Sequence, residues 1–184
     1  MCPGWEGEKV RLVPLDKAKH LENALNWLND PEVTQWTLIG DFPLTRLAEE
    51  DFFEKAMRSE QTQAAFAVET REGEHIGFCG IDQIDWRNGV GVTGTIIGRK
   101  DLWRQGYGSD TVAVRTRYAF EALGLRMLLS EVLGENVASL KALKKVGYRE
   151  VGRIPGRYWK RGAYRDRIQL MIDRETWLAR TGSL

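Results

Sequence analysis

The stretch Leu102-Trp103-Arg104-Gln105-Gly106-Tyr107-Gly108-Ser109-Asp110 constrains this chain most. It follows the apolar run Thr95-Ile96-Ile97-Gly98 and opens a segment with Val114, Tyr118 and Ala122 at helical spacing. In a glycine-rich turn between a strand and a helix, the backbone can approach an anion closely. The first helical N–H groups then point at it with the positive end of the dipole. The loop therefore reads as a pyrophosphate cradle. It contains no Gly-Lys-Ser/Thr, so it is not a Walker loop. It also follows four strand candidates, and no acidic residue ends a following parallel strand in the usual place, so it is a poor Rossmann fingerprint.

The surrounding pattern is a mixed α/β layer fold in one domain, residues 1–184. Val10 to Val13 reads as a strand. Asp16 caps a helix with Leu21, Ala24, Leu25 and Leu28 on one face, ended by Asp30-Pro31. A helical piece follows over 32–36. Thr45 then caps a helix that turns Phe52, Phe53, Ala56 and Met57 inward. Three antiparallel strands come next, over 66–68, 76–84 and 91–98, with turns at 71–74 and 87–89. After the loop and its helix come a strand over 127–133 and a helix from Asn136 to Val146, ended by Gly147. Two tail strands, 151–154 and 167–172, flank a turn at 161–163. No strict strand–helix alternation is present.

Composition narrows the function classes. A net charge of +1 gives no global attraction to nucleic acid or an anionic membrane, and no apolar run approaches a membrane span. The opening Met1-Cys2-Pro3-Gly4-Trp5-Glu6 is unlike a signal peptide. Two cysteines make no disulfide framework, Cys79 reads as a buried small hydrophobe, and the cytoplasm is the expected compartment. His20 and His75 read as surface residues, and no Cys/His cluster has metal spacing.

A second constellation sharpens the first: Glu135-Asn136-Val137-Ala138-Ser139-Leu140-Lys141-Ala142-Leu143-Lys144-Lys145-Val146-Gly147-Tyr148. Taken with the loop one strand and one helix earlier, it resembles the GNAT superfamily of acyl-CoA-dependent N-acetyltransferases. The resemblance covers nearly the whole chain. Arg11-Leu12-Val13-Pro14-Leu15, Trp27 to Val33 and Gly162-Ala163-Tyr164-Arg165-Asp166 resemble the branch with ribosomal-protein N-terminal acetyltransferases and spermidine acetyltransferases. The implied fold is a mostly antiparallel sheet of about seven strands, splayed at the cofactor site and flanked by helices.

The resemblance implies acetyl-CoA as co-substrate, no metal and an amine acceptor, either a protein N-terminus or a small molecule. Backbone of Ile96, Ile97 and Gly98 would pair with the pantetheine arm. Arg104, Gln105, Gly106, Tyr107, Gly108 and Ser109 would hold the pyrophosphate. Asn136 and Ser139 would meet the arm, and Lys141 or Lys144 the nucleotide phosphates, with a solvated helix face as the alternative for the lysines. Trp103 replaces the usual Gln or Arg, but the cradle depends on backbone donors. Many members use a tyrosine acid where this chain has Leu143. Ser139 is therefore the candidate donor to the leaving sulfur, and Tyr148 packs beside the cofactor.

Candidate bases are Asp82, Asp85 and Glu131, carboxylates in central strand segments. By alternation Asp82 shares a face with Phe78, Gly80 and Ile84. A backbone amide near Ile97 would polarise the acyl carbonyl. Arg157-Tyr158-Trp159-Lys160-Arg161 reads as a hairpin over the acceptor cleft or a homodimer contact. Asp30, Glu32 and Asp41 are candidates to attract a cationic acceptor. The alternative to an enzyme is an acyl-CoA-binding sensor or partner module.

Overall fold

The computed structural model describes residues 5–58 and 61–182. The Met1-Cys2-Pro3-Gly4 segment read against a signal peptide lies outside the described residues. The chain runs β1 (Trp5–Glu6), β2 (Val10–Pro14), α1 (Lys17–Leu28), α2 (Pro31–Thr34), α3 (Arg46–Met57), β3 (Ala64–Thr70), β4 (His75–Asp85) and β5 (Val90–Ile97). A 3-10 turn (Lys100–Leu102) precedes α4 (Tyr107–Glu121). Then come β6 (Met127–Leu133), α5 (Val137–Val146), β7 (Arg149–Lys160), β8 (Ala163–Asp173) and α6 (Arg174–Thr181).

The strands form one eight-stranded sheet in the order β1-β2-β3-β4-β5-β6-β8-β7. Every pairing is antiparallel except β5–β6, which is parallel because α4 carries the chain back across the sheet. The eighth strand is the short β1, which pairs with β2.

Local chemistry sets the helix ends. Asp16 accepts from the N–H groups of Ala18 and Lys19, Thr45 from Ala48, and Asn136 from Ser139, each filling a donor position the helix leaves open. Gly147 at φ 120° closes α5. One sheet face buries Ile81, Leu128, Leu170 and Ile172 against Phe120 of α4 and Leu143 of α5. The other packs Ala67 and Phe78 against Leu21 and Ala24 of α1 and Phe53 of α3. Among the described residues no helix is long and apolar enough to cross a membrane.

Several expectations need correction. Phe53 is buried, but its neighbours Phe52 and Met57 are about half exposed, because α3 lays one narrow stripe on the sheet. β7 runs three times and β8 nearly twice as far as the pattern suggested, and β8 leads into α6. β7 escapes alternation because it is an edge strand exposed along almost its whole length. Gln83 adopts φ 49° at a register shift between Asp82 and Asp85, so Ile84 turns into the α4-side core while Asp82 stays on the α1 side.

Both histidines are interior, His20 at 1% exposure and His75 at 7%. Their rings meet at 4.5 Å between α1, which carries His20, and the sheet, beside Trp27 and Phe78. His75 Nδ1 meets the Asn23 amide at 3.0 Å and its Nε2 meets the Gly77 carbonyl at 3.0 Å, so the neutral ring is already satisfied. Burial, with His20 adding to it, lowers its pKa to about 4.

Candidate functional site

β5 and β6 pair only from Val90–Thr93 against Met127–Ser130, yet both strands continue, to Ile97 and Leu133. β4 still follows β5 up to Ile97, and β8 still follows β6 up to Leu133. The two central strands therefore part into a wedge with a free edge on each side. Such edges hold unsatisfied peptide groups that an extended ligand can pair with.

The free groups on β5 follow from register. Ile97 lies opposite Gly77, and the N–H of Gly98 donates to Ile76 across that pair. Ile97 is thus a non-hydrogen-bonded position whose N–H and C=O face the wedge, and Thr95, two residues back, faces the same way. Ile96 presents its backbone to β4, and the Gly98 N–H is already taken. Of the three backbone positions expected on the pantetheine arm, Ile97 faces the wedge, and Thr95 joins it. The Ile97 carbonyl accepts from the Trp103 indole at 2.8 Å, which ties the loop to the end of the strand. That is the work of the residue that stands where a Gln or Arg is usual.

At the mouth of the wedge, the backbone N–H groups of residues 104–109 have no hydrogen-bond acceptor among the described residues. Gly106 caps α4 at φ 93° with no side-chain cap, and Arg104 also takes a left-handed φ, of 62°. Six consecutive free donors on the positive end of a 15-residue helix make an anion nest. Side chains brace it: Gln105 donates to the Asp101 carbonyl at 2.6 Å, and the Asp110 carboxylate accepts from the N–H groups of Lys9 and Val10. A cavity of ≈ 620 Å³ begins at Gly106 and Ser109 and runs past Lys9, Arg117, Lys145 and Arg180. A second, of ≈ 630 Å³, lies at the opposite end of the sheet around Pro14, Ala64 and Trp86 and touches neither loop nor wedge.

Asn136 and Ser139 sit at the start of α5, above the end of β6. The Asn136 carbonyl oxygen is spent on the Ser139 N–H, at 3.1 Å, and its amide reaches the Trp36 carbonyl at 3.4 Å. The Ser139 hydroxyl is half buried and has no partner among the described residues. Lys144 lies in the last turn of α5, about 12 Å along the axis from Asn136, exposed and at the negative end of the helix. Tyr148 is 3% exposed, with its hydroxyl on Thr116 at 3.1 Å, so it belongs to the α4–α5 core.

The three carboxylates separate. Asp85 is a turn residue, accepting from the Asn88 backbone and side chain, which lower its pKa. Glu131 pairs with Arg167 and accepts from the Tyr158 hydroxyl at 3.2 Å. Asp82 has no hydrogen bond or ion pair among the described residues. It lies opposite Val92, one residue below the level at which β5 and β6 part. The residue is exposed on the α1 face of the sheet, yet its carboxyl is partly desolvated there. Desolvation raises its pKa, and the Arg115 charge partly opposes that.

The acceptor side is a set of ion pairs. At the β7–β8 tip, Lys160 is 2% exposed and donates to the Ile39 carbonyl at 2.8 Å and to Asp41 at 2.9 Å. Arg161 donates to Thr34 Oγ1 at 3.2 Å, and Arg165 pairs with Glu135 at 2.9 Å. Asp30 and Glu32 share Lys100, at 2.8 and 2.7 Å. The three acids expected to draw a cation are thus already neutralised. Trp159 and Tyr164 stack across the tip and remain exposed. Tyr158 and Arg167 on the hairpin, and Arg115 on α4, make contacts around the site without having been singled out individually. Only the three-dimensional register brings them to Glu131 and β5.

Residues 9–149 match the family profile of the acetyltransferase (GNAT) domain. The chain is similar in fold to a spermidine N-acetyltransferase from Vibrio cholerae solved with CoA and spermine. The two share 19% identity and a TM-score of 0.83, over 92% of this chain and 98% of that one. It is also similar to a GCN5-related N-acetyltransferase from Brucella melitensis, with 26% identity and a TM-score of 0.76, over 96% and 80% of the two chains. A third likeness is to a GNAT-family acetyltransferase from Bacillus anthracis, with 17% identity and a TM-score of 0.79 over 94% and 99%.

Proposed function

The chain belongs to the acetyltransferase (GNAT) family, whose members transfer acetyl from acetyl-CoA to an amine, and from that premise we propose how its residues divide the work. One observation carries the reading: six free backbone N–H groups stand at the mouth of a wedge between two parallel strands. These residues fit a coenzyme A thioester. The nest at 104–109 suits its pyrophosphate, and the Thr95 carbonyl and Ile97 N–H at the wedge edge suit the amides of its pantetheine arm. When bound, that co-substrate supplies an acetyl group activated on sulfur.

Asp82 is the proposed base. A free alkyl ammonium has a pKa near ~10, so a proton must leave before nitrogen attacks. A desolvated carboxylate with a raised pKa takes that proton, directly or through water, more readily than an ordinary one. The new C–N bond forms as the C–S bond breaks. The Ser139 hydroxyl, at the start of α5, is the proposed donor to the departing sulfur. Glu131 holds the hairpin through Arg167 and Tyr158 rather than moving protons.

The acceptor is proposed to be an amine that enters with a single cationic group. A polyamine such as the spermine bound to the Vibrio protein calls for several unpaired carboxylates. Here Asp30, Glu32, Asp41 and Glu135 each lie within 3 Å of a cation. A protein N-terminus or a small monoamine meets Asp82 alone. The reading includes a cytoplasmic site of action, for which the two cysteines suit a reducing compartment.

The test is thiol release from acetyl-CoA over a panel of peptides, monoamines and polyamines. Turnover is expected, fastest with single-amine acceptors. Binding of CoA with no turnover on any member overturns the enzymatic reading in favour of a sensor module. Asp82→Asn is expected to lower kcat about 10²–10³-fold with CoA affinity unchanged. In the parent protein, kcat rises with pH through a midpoint above the usual carboxylate value, because the base works only when deprotonated and desolvation delays that.

A further inference from the structure

Arg115 is the largest fully buried side chain among the described residues, at 1% exposure in the middle of α4. Such a guanidinium normally has all its donors paired, since a charge taken out of water without partners is costly. Here Nη1 donates to the Gly94 carbonyl at 2.7 Å and to Thr95 Oγ1, while Nε and Nη2 have no partner among the described residues. The charges and polar groups near it are the Cys79 thiol on the same sheet face, which burial pushes up to about 12, and the Asp82 carboxyl on the other face. Neither pairs with it directly. The charge is therefore spent on one peptide unit of β5.

That peptide unit is the one at the wedge. Gly94 faces β4 and Thr95 faces the opening, by the register that places Ile97 at the free edge. In a trans peptide the Gly94 carbonyl and the Thr95 N–H point in opposite directions. A cation bonded to the carbonyl draws electron density through the amide and strengthens the N–H on the other side, as in any hydrogen-bonded chain at low dielectric. On the α1 face of the sheet beside that peptide, a Cβ on Gly94 would meet nothing within 4 Å, so the face next to the wedge is open. A donor of fixed direction, held by a buried charge and facing an open cleft, has the form of an oxyanion donor.

We infer that Arg115 is a positioning residue for acetyl transfer, polarising the Gly94–Thr95 peptide so that the Thr95 N–H stabilises the charge that develops on the acyl oxygen. This rests on the acetyl-transfer reading above. The residue touches neither substrate and acts through one backbone amide. Among the described residues Nη1 is the anchored end, and both of its acceptors, the Gly94 carbonyl and Thr95 Oγ1, belong to this short stretch of β5.

The experiment compares Arg115→Met, Arg115→Gln and Arg115→Lys. In the free protein, the Thr95 amide proton is expected to move upfield in the Met and Gln variants and to return most of the way with Lys. With ¹³C-carbonyl acetyl-CoA bound, the infrared carbonyl stretch is expected to shift to higher frequency in Met and Gln. Turnover, read at a pH above the Asp82 midpoint so that the base is fully ionised, is expected to fall about tenfold, a fraction of the loss seen when a whole oxyanion donor is removed. The CoA dissociation constant is expected to stay within about twofold, ~0.4 kcal/mol.

An unmoved Thr95 amide with a folded variant overturns the inference even if turnover falls. So does a loss that appears wholly in CoA affinity, which would make Arg115 a structural clamp. If the Met variant fails to fold, the Gln variant, which keeps a neutral donor, gives the same readouts. A parent protein that binds acetyl-CoA but acetylates nothing strikes the proposed function instead, while the amide shift still reports on Arg115.

Discussion

From residue 104 to residue 109 the protein offers six backbone donors and asks little of side-chain identity. Across the cleft, from Thr34 to Asp41 and from Tyr158 to Arg167, it offers the reverse: long charged side chains that hold one another and leave few groups for a ligand. The donor side is held by peptide geometry, Gly106 at φ 93° and a helix dipole, none of which depends on pH or on a partner's rotamer. The acceptor side is held by ion pairs, which are screened, entropically costly and open to exchange. A site built this way keeps its acyl donor constant and leaves its acceptor to side-chain substitution.

The strongest way to break that contrast is Gly106→Asp. The position needs a left-handed φ that a side chain resists, and a Cβ there would meet Lys9 at 3.4 Å. The carboxylate would also enter the anion nest. CoA affinity is expected to fall at least a thousandfold, ~4 kcal/mol, by calorimetry, with the melting temperature little changed. Retained affinity would mean that the pyrophosphate sits elsewhere and that the loop is only a turn.

The same contrast decides what was legible in the sequence. The loop, the caps at Asp16, Thr45 and Asn136, and the Gly147 stop are local chemistry, and each appears where its residues predict it. The wedge needs two strands that part partway along their length, and the parity that exposes Thr95 rather than Ile96 depends on a register no local pattern encodes. The hairpin was read as half its length because an exposed edge strand carrying Gly152, Pro155 and Gly156 has no alternation to find. Asp82 and Glu131 are indistinguishable as bases in sequence, with Asp85 near a turn; in space Glu131 meets Arg167 and Asp85 meets Asn88. The histidines misled because His75 borders a turn in sequence but lies under α1 in space.

That histidine pair sharpens the comparison by pH. His75 is neutral when folded, with Nδ1 turned to the Asn23 amide, and its pKa is lowered to about 4 from 6.5. His20 is lowered too, by burial, with Glu69 opposing from 3.5 Å and Lys19, Arg11 and Asp16 nearby. A group whose folded pKa is depressed binds fewer protons folded than unfolded, so stability is full above about 6.5 and is lost as pH falls toward 4. For His75 the loss approaches ~3 kcal/mol as an upper bound. Trp27 packs on His75 and closes on Gly98, where a Cβ would lie 1.9 Å from its ring. Acid is therefore expected to free α1, on the acceptor side, before it disturbs the loop. Amide exchange should accelerate in α1 between pH 6.5 and 4 while CoA still binds, and His75→Gln should flatten that dependence. Equal acceleration in α1 and α4 would mean that the two halves unfold as one.

The smallest expected effect tests the acceptor half alone. Lys160 holds the hairpin tip to the 39–41 loop through the Ile39 carbonyl and Asp41. Its ammonium is buried, whereas Asp41 is 44% exposed and can return to water once unpaired. Lys160→Met keeps most of the buried stem and removes the charge, so its stability cost is expected to be about 1 kcal/mol, less than for breaking a fully buried pair. What it changes is the lid: the KM for the amine is expected to rise about tenfold, ~1.4 kcal/mol, while the CoA dissociation constant holds. The freed Asp41 carboxylate should also narrow the gap between single-amine and polyamine acceptors in steady-state kinetics, since a second unpaired acid then faces the cleft. If CoA affinity weakens in step with the amine, the hairpin supports both halves, and the division between a backbone-built donor site and a side-chain-built acceptor site does not hold.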